Sequence, residues 1–414
     1  MSQTQTPSWP SGNTETGFLS RDGALHSPPE AYYQPWEVIA LGLPELIPKR
    51  GVRNAVRKLE ELSTDGLSTE AHRRWAYVRL SFIAQAYIWC GGTIRGGGGQ
   101  GDEDDDNVQS HLPPQLAVPL LQISSRLHLP PIMTYAATCL WNFQCVGADE
   151  ADLDEPENIR SVVTFTGGES ESWFFGISIA MEARGARVIP VLTDALRADD
   201  EDEDEDEDET RRNLRRGRLA AALDHLGRCV DDLTRLLGRM YERCDPSAFY
   251  HDIRPFLAGG KGVSQLPRGV FYDTGDGHGL WRQLRGGSNG QSTLFQLFDR
   301  FLGIRHPAGF HDEMKAYMPL DHRRLLDRVE RTSDVRELVA ALPPDHDLRA
   351  SYTSVVDALS RLRAKHLELV ARYIVVPSSS SSSGPAAVGT AGTSPIPFLR
   401  ETRRSTMLAG NLAI

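Results

Sequence analysis

The sequence predicts a mainly α protein with a smaller N-terminal domain and a larger helical one, on three observations. Apolar residues recur at helical spacing in several long segments, while strand-like alternation is scarce. The length of 414 residues, 40% of them apolar and 24% charged, allows two or three domains sharing a substantial core. No stretch reaches the ~18 uninterrupted apolar residues of a membrane-spanning helix, so no membrane partner is expected.

Residues 1–24 are polar, with Pro, Ser and Thr, and lack both a basic start and an apolar centre. They read as a disordered leader rather than a secretory signal, which makes the cytoplasm the default location. The five cysteines, Cys90, Cys139, Cys145, Cys229 and Cys244, include no CxxC pair and read as reduced, mostly packed thiols. The N-terminal domain is expected over 25–155. Its segment 32–89 is helical in pattern, broken around 42–51, and ends in a Gly-rich, acidic insertion at 91–106. Segment 112–143 carries two Leu-Pro-Pro steps, at Leu112 and Leu129, each suited to starting a helix, so two helices joined by a turn are expected. The acidic, aperiodic stretch 147–158 is the best domain boundary.

The second domain, 156–414, opens with an apolar helix over 173–183 and an acidic loop at 199–209. Leu219, Leu223, Leu226, Val230, Leu233, Leu237 and Met240 then alternate at steps of four and three, one apolar seam along a helix that packs within the chain. No second apolar face stands out, so a monomer is the default. Gly-rich loops follow from Arg254 to Gly290, then helices over 292–304, 314–325 and 348–376, then a flexible Ser-rich loop at 377–393.

The net charge of −11 is local: the runs 102–106 and 199–209 hold 5 and 11 acidic residues, and without them the chain would carry +5. What remains has no clustered Lys/Arg stripe, so no nucleic-acid partner is expected.

Three places could carry chemistry. His366 stands in the apolar stripe of the 348–376 helix, four residues after Leu362 and three before Leu369. A histidine facing a core either hydrogen-bonds a buried group or binds a metal, and a helical pocket with a single histidine suits the proximal ligand of a heme; spacing alone leaves both readings open. Gly286-Gly287-Ser288-Asn289-Gly290 matches GxSxG, which would make Ser288 a hydrolytic nucleophile, but the charged stretch 281–285 before it is not the buried strand such an elbow follows. Those glycines suit a backbone that closely approaches something flat and bulky. Arg254, among Phe249, Tyr250 and Phe256, is suited to bidentate capture of a carboxylate or to a surface ion pair. Tyr135, Phe174 and Ser178 lie in apolar segments where core packing is the ordinary reading.

Taken together in order, these segments resemble the indoleamine 2,3-dioxygenase family. The likeness rests on Leu129-Pro130-Pro131-Ile132-Met133-Thr134-Tyr135-Ala136, on Phe165-Thr166-Gly167-Gly168-Glu169 leading to Phe174-Phe175-Gly176-Ile177-Ser178, and on 249–257. It continues through 286–292, Tyr317-Met318-Pro319 with His322-Arg323, and 362–374. The acidic and Gly-rich insertions fall between these motifs.

The resemblance implies a b-type heme between the two domains, with His366 as its proximal ligand and Asp299 and Arg363 supporting that side. It implies a distal substrate pocket from Tyr135, Thr138, Phe174, Ser178 and Phe249, with Arg254 on the substrate carboxylate. Gly287 and Ser288 would close over the heme edge, and Thr390 would belong to a mobile loop covering the substrate. The implied reaction inserts O2 across the indole 2,3 double bond of L-tryptophan to give N-formylkynurenine, with an external one-electron reductant keeping the iron ferrous. A non-catalytic oxygen binder on the same scaffold is the rival. Three positions depart from the pattern: Asn289 replaces a small residue, Thr138 stands where some members carry cysteine, and Ala391 interrupts a second glycine pair.

Overall fold

A computed structural model describes residues 17–20, 24–93, 107–146, 153–197, 209–275, 277–307, 309–379, 390 and 394–412. Most of the leader, the insertion from 94 to 106, the start of the boundary segment at 147–152, the acidic run 199–208, and 380–389 with 391–393 of the Ser-rich loop lie outside the described residues. Ten helices of eight residues or more stand among the described residues, with five short strands.

In the N-terminal part, α1 (Gln34–Leu41) carries Pro35 in its first turn and packs on α2 (Glu70–Thr93), whose Trp75 joins Tyr33 and Trp36 in an aromatic cluster. The buried Arg79 guanidinium of α2 meets Glu37 of α1 at 2.8 Å, so the charge that enters this core enters paired. Helix α3 (Pro114–Arg126) starts at its Leu-Pro-Pro step as expected. The second step does not start a helix: Leu129 to Thr134 form an irregular segment bent at Pro131–Ile132, where Ile132 N–H donates to the Pro130 carbonyl, and the carbonyls of Pro130, Pro131 and Ile132 are bound by the hydroxyls of Tyr77 and Tyr272. Those buried acceptors hold the non-helical course that the prolines permit, and one wide helical turn, Ala136–Leu140, follows.

The larger part is a helical bundle of α4 (Glu169–Ala186), α5 (Ile189–Arg197), α6 (Glu209–Gly238), α7 (Thr293–Phe301), α8 (Leu320–Thr332), α9 (Asp347–Val370) and α10 (Pro395–Ala409). The seam of α6 is buried against α9, α4 and α5, which bears out packing within the chain. Helix α9 continues through a wide turn, Ala371–Val375, to Ser379, so 377–379 complete a helix rather than begin a flexible loop. The expected helix over 314–325 is interrupted at Met318-Pro319, because proline cannot continue the helix before it.

The stretch read as Gly-rich loops contains a hairpin instead. β4 (Val270–Gly275) and β5 (His278–Arg282) pair antiparallel with Val270 opposite Arg282, and β1 (His111–Leu112) adds parallel to β4. A second ribbon pairs β2 (Phe143–Cys145) with β3 (Ile159–Ser161). The apolar core runs uninterrupted from Phe18 to Leu412. No helix among the described residues is long and apolar enough to cross a membrane.

Candidate active site

Helix α9 presents His366 near its C-terminal end. Desolvation of the ring, with the nearby Arg363 charge, lowers its pKa to about 4. The ring is half-buried rather than fully sealed in the core, and no hydrogen bond to it forms among the described residues. It is therefore neutral at pH 7, with a lone pair to offer.

One turn earlier Arg363 reaches Asp299 of α7, Nη2 donating to both carboxylate oxygens at 2.6 and 2.7 Å, and His306 Nε2 lies 2.9 Å from the same carboxylate. Burial pushes the Asp299 carboxyl up, but Arg363 and His306 outweigh it and hold it well below the usual range. The His306 ring stacks on His311, centroids 4.3 Å apart. Arg363 Nη1 is buried and has no partner among the described residues.

Helix α4 carries Phe174, Ser178 and Glu182 at four-residue steps, one face of the helix. Phe174 meets Phe249 with centroids 4.8 Å apart and planes tilted by 54°, and Phe249 meets Tyr373, on the continuation of α9, edge to face at 5.8 Å. Tyr373 is fixed by donating to the carbonyls of Met240 and Cys244. Tyr135 and Thr138 belong to the segment facing α4: the Tyr135 hydroxyl donates to Glu182 at 3.0 Å, and the Thr138 hydroxyl turns back to the Tyr135 carbonyl at 3.2 Å. Three wide π turns, Ala136–Leu140, Phe249–Ile253 and Ala371–Val375, hold or adjoin these side chains, and such turns re-aim residues that a regular helix would rotate away.

Arg254 follows the second wide turn, its guanidinium 5.1 Å from the Tyr250 ring centre. Burial lowers its pKa without neutralising a guanidinium. Its segment is anchored from α2, where Gln85 and Trp89 donate to the Phe256 and Ala258 carbonyls. It then passes so close to the Gly-rich loop that a Cβ on Gly259 would sit 2.3 Å from Gly286 N, and one on Gly286 would sit 2.0 Å from Leu257 O. Two glycines thus bring Arg254 and the loop together. Thr390 completes the group, donating to the Gly287 carbonyl at 2.9 Å and accepting from Gly259 N at 3.3 Å.

The structure thus groups the expected residues by contact: Arg363 with Asp299 one turn from His366, Phe174 with Phe249 and Tyr135 with Thr138 around α4, and the Arg254 segment with Gly287, Ser288 and Thr390. The hydrolase reading fails on different grounds from those given by sequence. A strand does end at Arg282, but it is a half-exposed edge strand, and the Ser288 hydroxyl caps the next turn by accepting from Gly290 N, with no histidine partner among the described residues. Sequence reasoning missed Glu182, Ser292, His306 and Tyr373; a lone acid in the apolar run of α4, eight residues after Phe174, was the readable signal for the first.

These residues fit an iron porphyrin. A neutral imidazole suits a heme iron, the buried and unpartnered Arg363 Nη1 suits a propionate, and a glycine backbone at 286–287 suits the edge of a flat ring.

The indoleamine 2,3-dioxygenase family model matches residues 13–409. An indoleamine 2,3-dioxygenase of Aspergillus candidus is 38% identical over 94% of each chain. A protein of Fusarium equiseti named 6-hydroxytryptophan 2,3-dioxygenase is 36% identical over 95% of each. Indoleamine 2,3-dioxygenase 1 of Mus musculus is 34% identical over 91% of this chain and 89% of its own.

Proposed function

The chain belongs to the indoleamine 2,3-dioxygenase family, a heme-dependent dioxygenase acting on an indole compound and O2, and from that premise we propose L-tryptophan as the substrate and N-formylkynurenine as the product. The observation that carries the substrate is the half-buried Arg254 cation, held over the Tyr250 ring five residues after Phe249, which itself packs on Phe174, a combination that suits an amino-acid carboxylate joined to a flat ring. The product leads toward kynurenine and NAD, in the cytoplasm, from a monomer with domains at 25–155 and 156–414.

His366 would hold the heme iron, with Arg363, backed by Asp299, on a propionate; the bound heme supplies the activation of O2. The remaining work falls to the chain. Arg254 captures the carboxylate and fixes the approach of the ring, which turns an encounter into an oriented complex. Phe174 and Phe249 wall the slot and exclude water. Ser178 already donates to the Phe174 carbonyl at 3.4 Å, so its oxygen remains an acceptor for the indole N–H. Attack at the 2,3 double bond needs no protein base, which agrees with a distal face offering hydroxyls rather than a histidine. Thr390, tied to Gly287, covers the slot.

The name of the Fusarium relative makes a ring-hydroxylated tryptophan the competing substrate. The test is the visible spectrum of the purified protein, followed by product absorbance with L-tryptophan or 6-hydroxytryptophan, ascorbate and methylene blue. A Soret band with faster turnover of L-tryptophan is expected. Preference for the hydroxylated ring would overturn the substrate; a Soret band without product from either would favour an oxygen binder; and a His366→Ala variant that keeps full heme would remove the ligand assignment.

A further inference from the structure

Behind the distal pocket lies a carboxyl that the proposed reaction does not use. Glu182 of α4 is 1% exposed, and its Oε1 accepts from the Tyr135 hydroxyl at 3.0 Å and the Ser292 hydroxyl at 2.6 Å. Oε2 is buried with no partner among the described residues. Tyr135 also gives its backbone N–H to Gln291 at 2.8 Å, while the Gln291 amide donates to the Gly286 carbonyl at 2.9 Å. The close approach that lets Ser292 reach α4 depends on Gly185, where a Cβ would fall 2.2 Å from Leu294 of α7.

We propose that Glu182 is a positioning residue for substrate binding, its carboxyl clamping the pocket wall 135–140 to the loop 286–292 through Tyr135 and Ser292. The two elements it joins carry Tyr135 and Thr138 on one side and Gly287 and Ser288 on the other, so the width of the slot depends on a bond that touches no substrate. The inference rests on the substrate pocket proposed above.

The clamp is also sensitive to pH. Burial pushes the Glu182 carboxyl up to about 7, against the hydrogen bonds from Ser292 and Tyr135. The titratable groups facing it are the Tyr135 phenol and the Cys139 thiol, both pushed up by burial and neutral near pH 7. Ser292 faces it from the start of α7 with a hydroxyl, and Arg184, two residues along α4, points away to Asp232 and Asp154. Ionisation turns both bonds at Oε1 into charge-assisted ones, which tightens the clamp as pH rises through 7.

The experiment measures L-tryptophan affinity of the heme-loaded protein from the Soret perturbation at pH 6, 7 and 8, in the parent and in Glu182→Gln and Ser292→Ala. In the parent, affinity is expected to strengthen about threefold to tenfold across this range. Glu182→Gln, which keeps an acceptor but cannot ionise, should lose the pH dependence and bind at the weaker limit. Ser292→Ala removes a bond that favours the carboxylate, so its midpoint should move to higher pH, and this variant decides the matter if Glu182→Gln fails to fold. A parent affinity flat with pH, or the same profile in a variant, overturns the proposal. Because binding is read without turnover, an inactive protein that still shows this profile counts against the dioxygenase reading alone.

Discussion

At the residue scale the site is governed by charges that burial would penalise were they not paired. Arg254→Ala should leave the heme spectrum unchanged and raise KM for L-tryptophan by about tenfold to a hundredfold, the worth of a charged hydrogen bond to a carboxylate. Steady-state kinetics on heme-matched samples check this, and an unchanged KM removes the arginine from the substrate. Asp299 presents the opposite case, since it touches only the residues that support the heme side. Asp299→Asn leaves the buried Arg363 guanidinium short of its counter-charge and should cost about 3 to 5 kcal/mol of stability. Denaturant unfolding of the heme-free protein measures it.

At the element scale, what the sequence disclosed was set by how much of an element's pattern lies in its own residues. The α6 seam was legible because six apolar positions, Leu219 to Leu237, repeat along it without interruption, and α9 was legible because His366 continues an apolar stripe. Leu223→Ala should therefore cost about 2 to 5 kcal/mol in a urea titration, whereas Asp224→Ala on the exposed face should change it by no more than ~0.5 kcal/mol. The β4–β5 hairpin escaped notice because its strands are short, sit among glycines and are specified by distant partners such as β1. Helix α10 escaped because Ser394-Pro395-Ile396-Pro397 reads as linker, although proline in a first turn is equally a helix start. The 136–140 segment looked like part of a full helix because apolar composition cannot reveal that buried tyrosine hydroxyls bind the carbonyls before it and keep those residues out of a helix. Of the candidate site, His366, Arg254 and the pocket residues were readable through the resemblance; Ser292 and Tyr373 stood inside its motifs without a role, and Glu182 showed only as a lone acid whose meaning depends on Ser292, 110 residues away.

For the whole molecule, buried titratable groups set the pH of greatest stability. Burial lowers His311 and His366 to about 4 and His322 to about 3, so between pH 4 and 6.5 the unfolded chain binds three protons that the folded one refuses, and stability rises with pH. Glu182, raised to about 7, works the other way: the folded chain keeps a proton that the unfolded one has lost above about 4.5, and that contribution disappears as pH climbs through 7. The heme-free protein should gain about 2 kcal/mol per pH unit from pH 5 to 6, gain less above 6.5 and level off between pH 7 and 8, as guanidinium midpoints at those values will show. Helix α10 adds a constraint of another kind. It packs along α9, where Arg403 donates to Ser360 two turns before His366, so the helix that bears His366 is completed by residues made after it. During synthesis, His366 leaves the ribosome before its own support does. A chain that ends before Pro395 is therefore expected to leave the flank of α9 uncovered, and its urea midpoint should fall below that of the full chain.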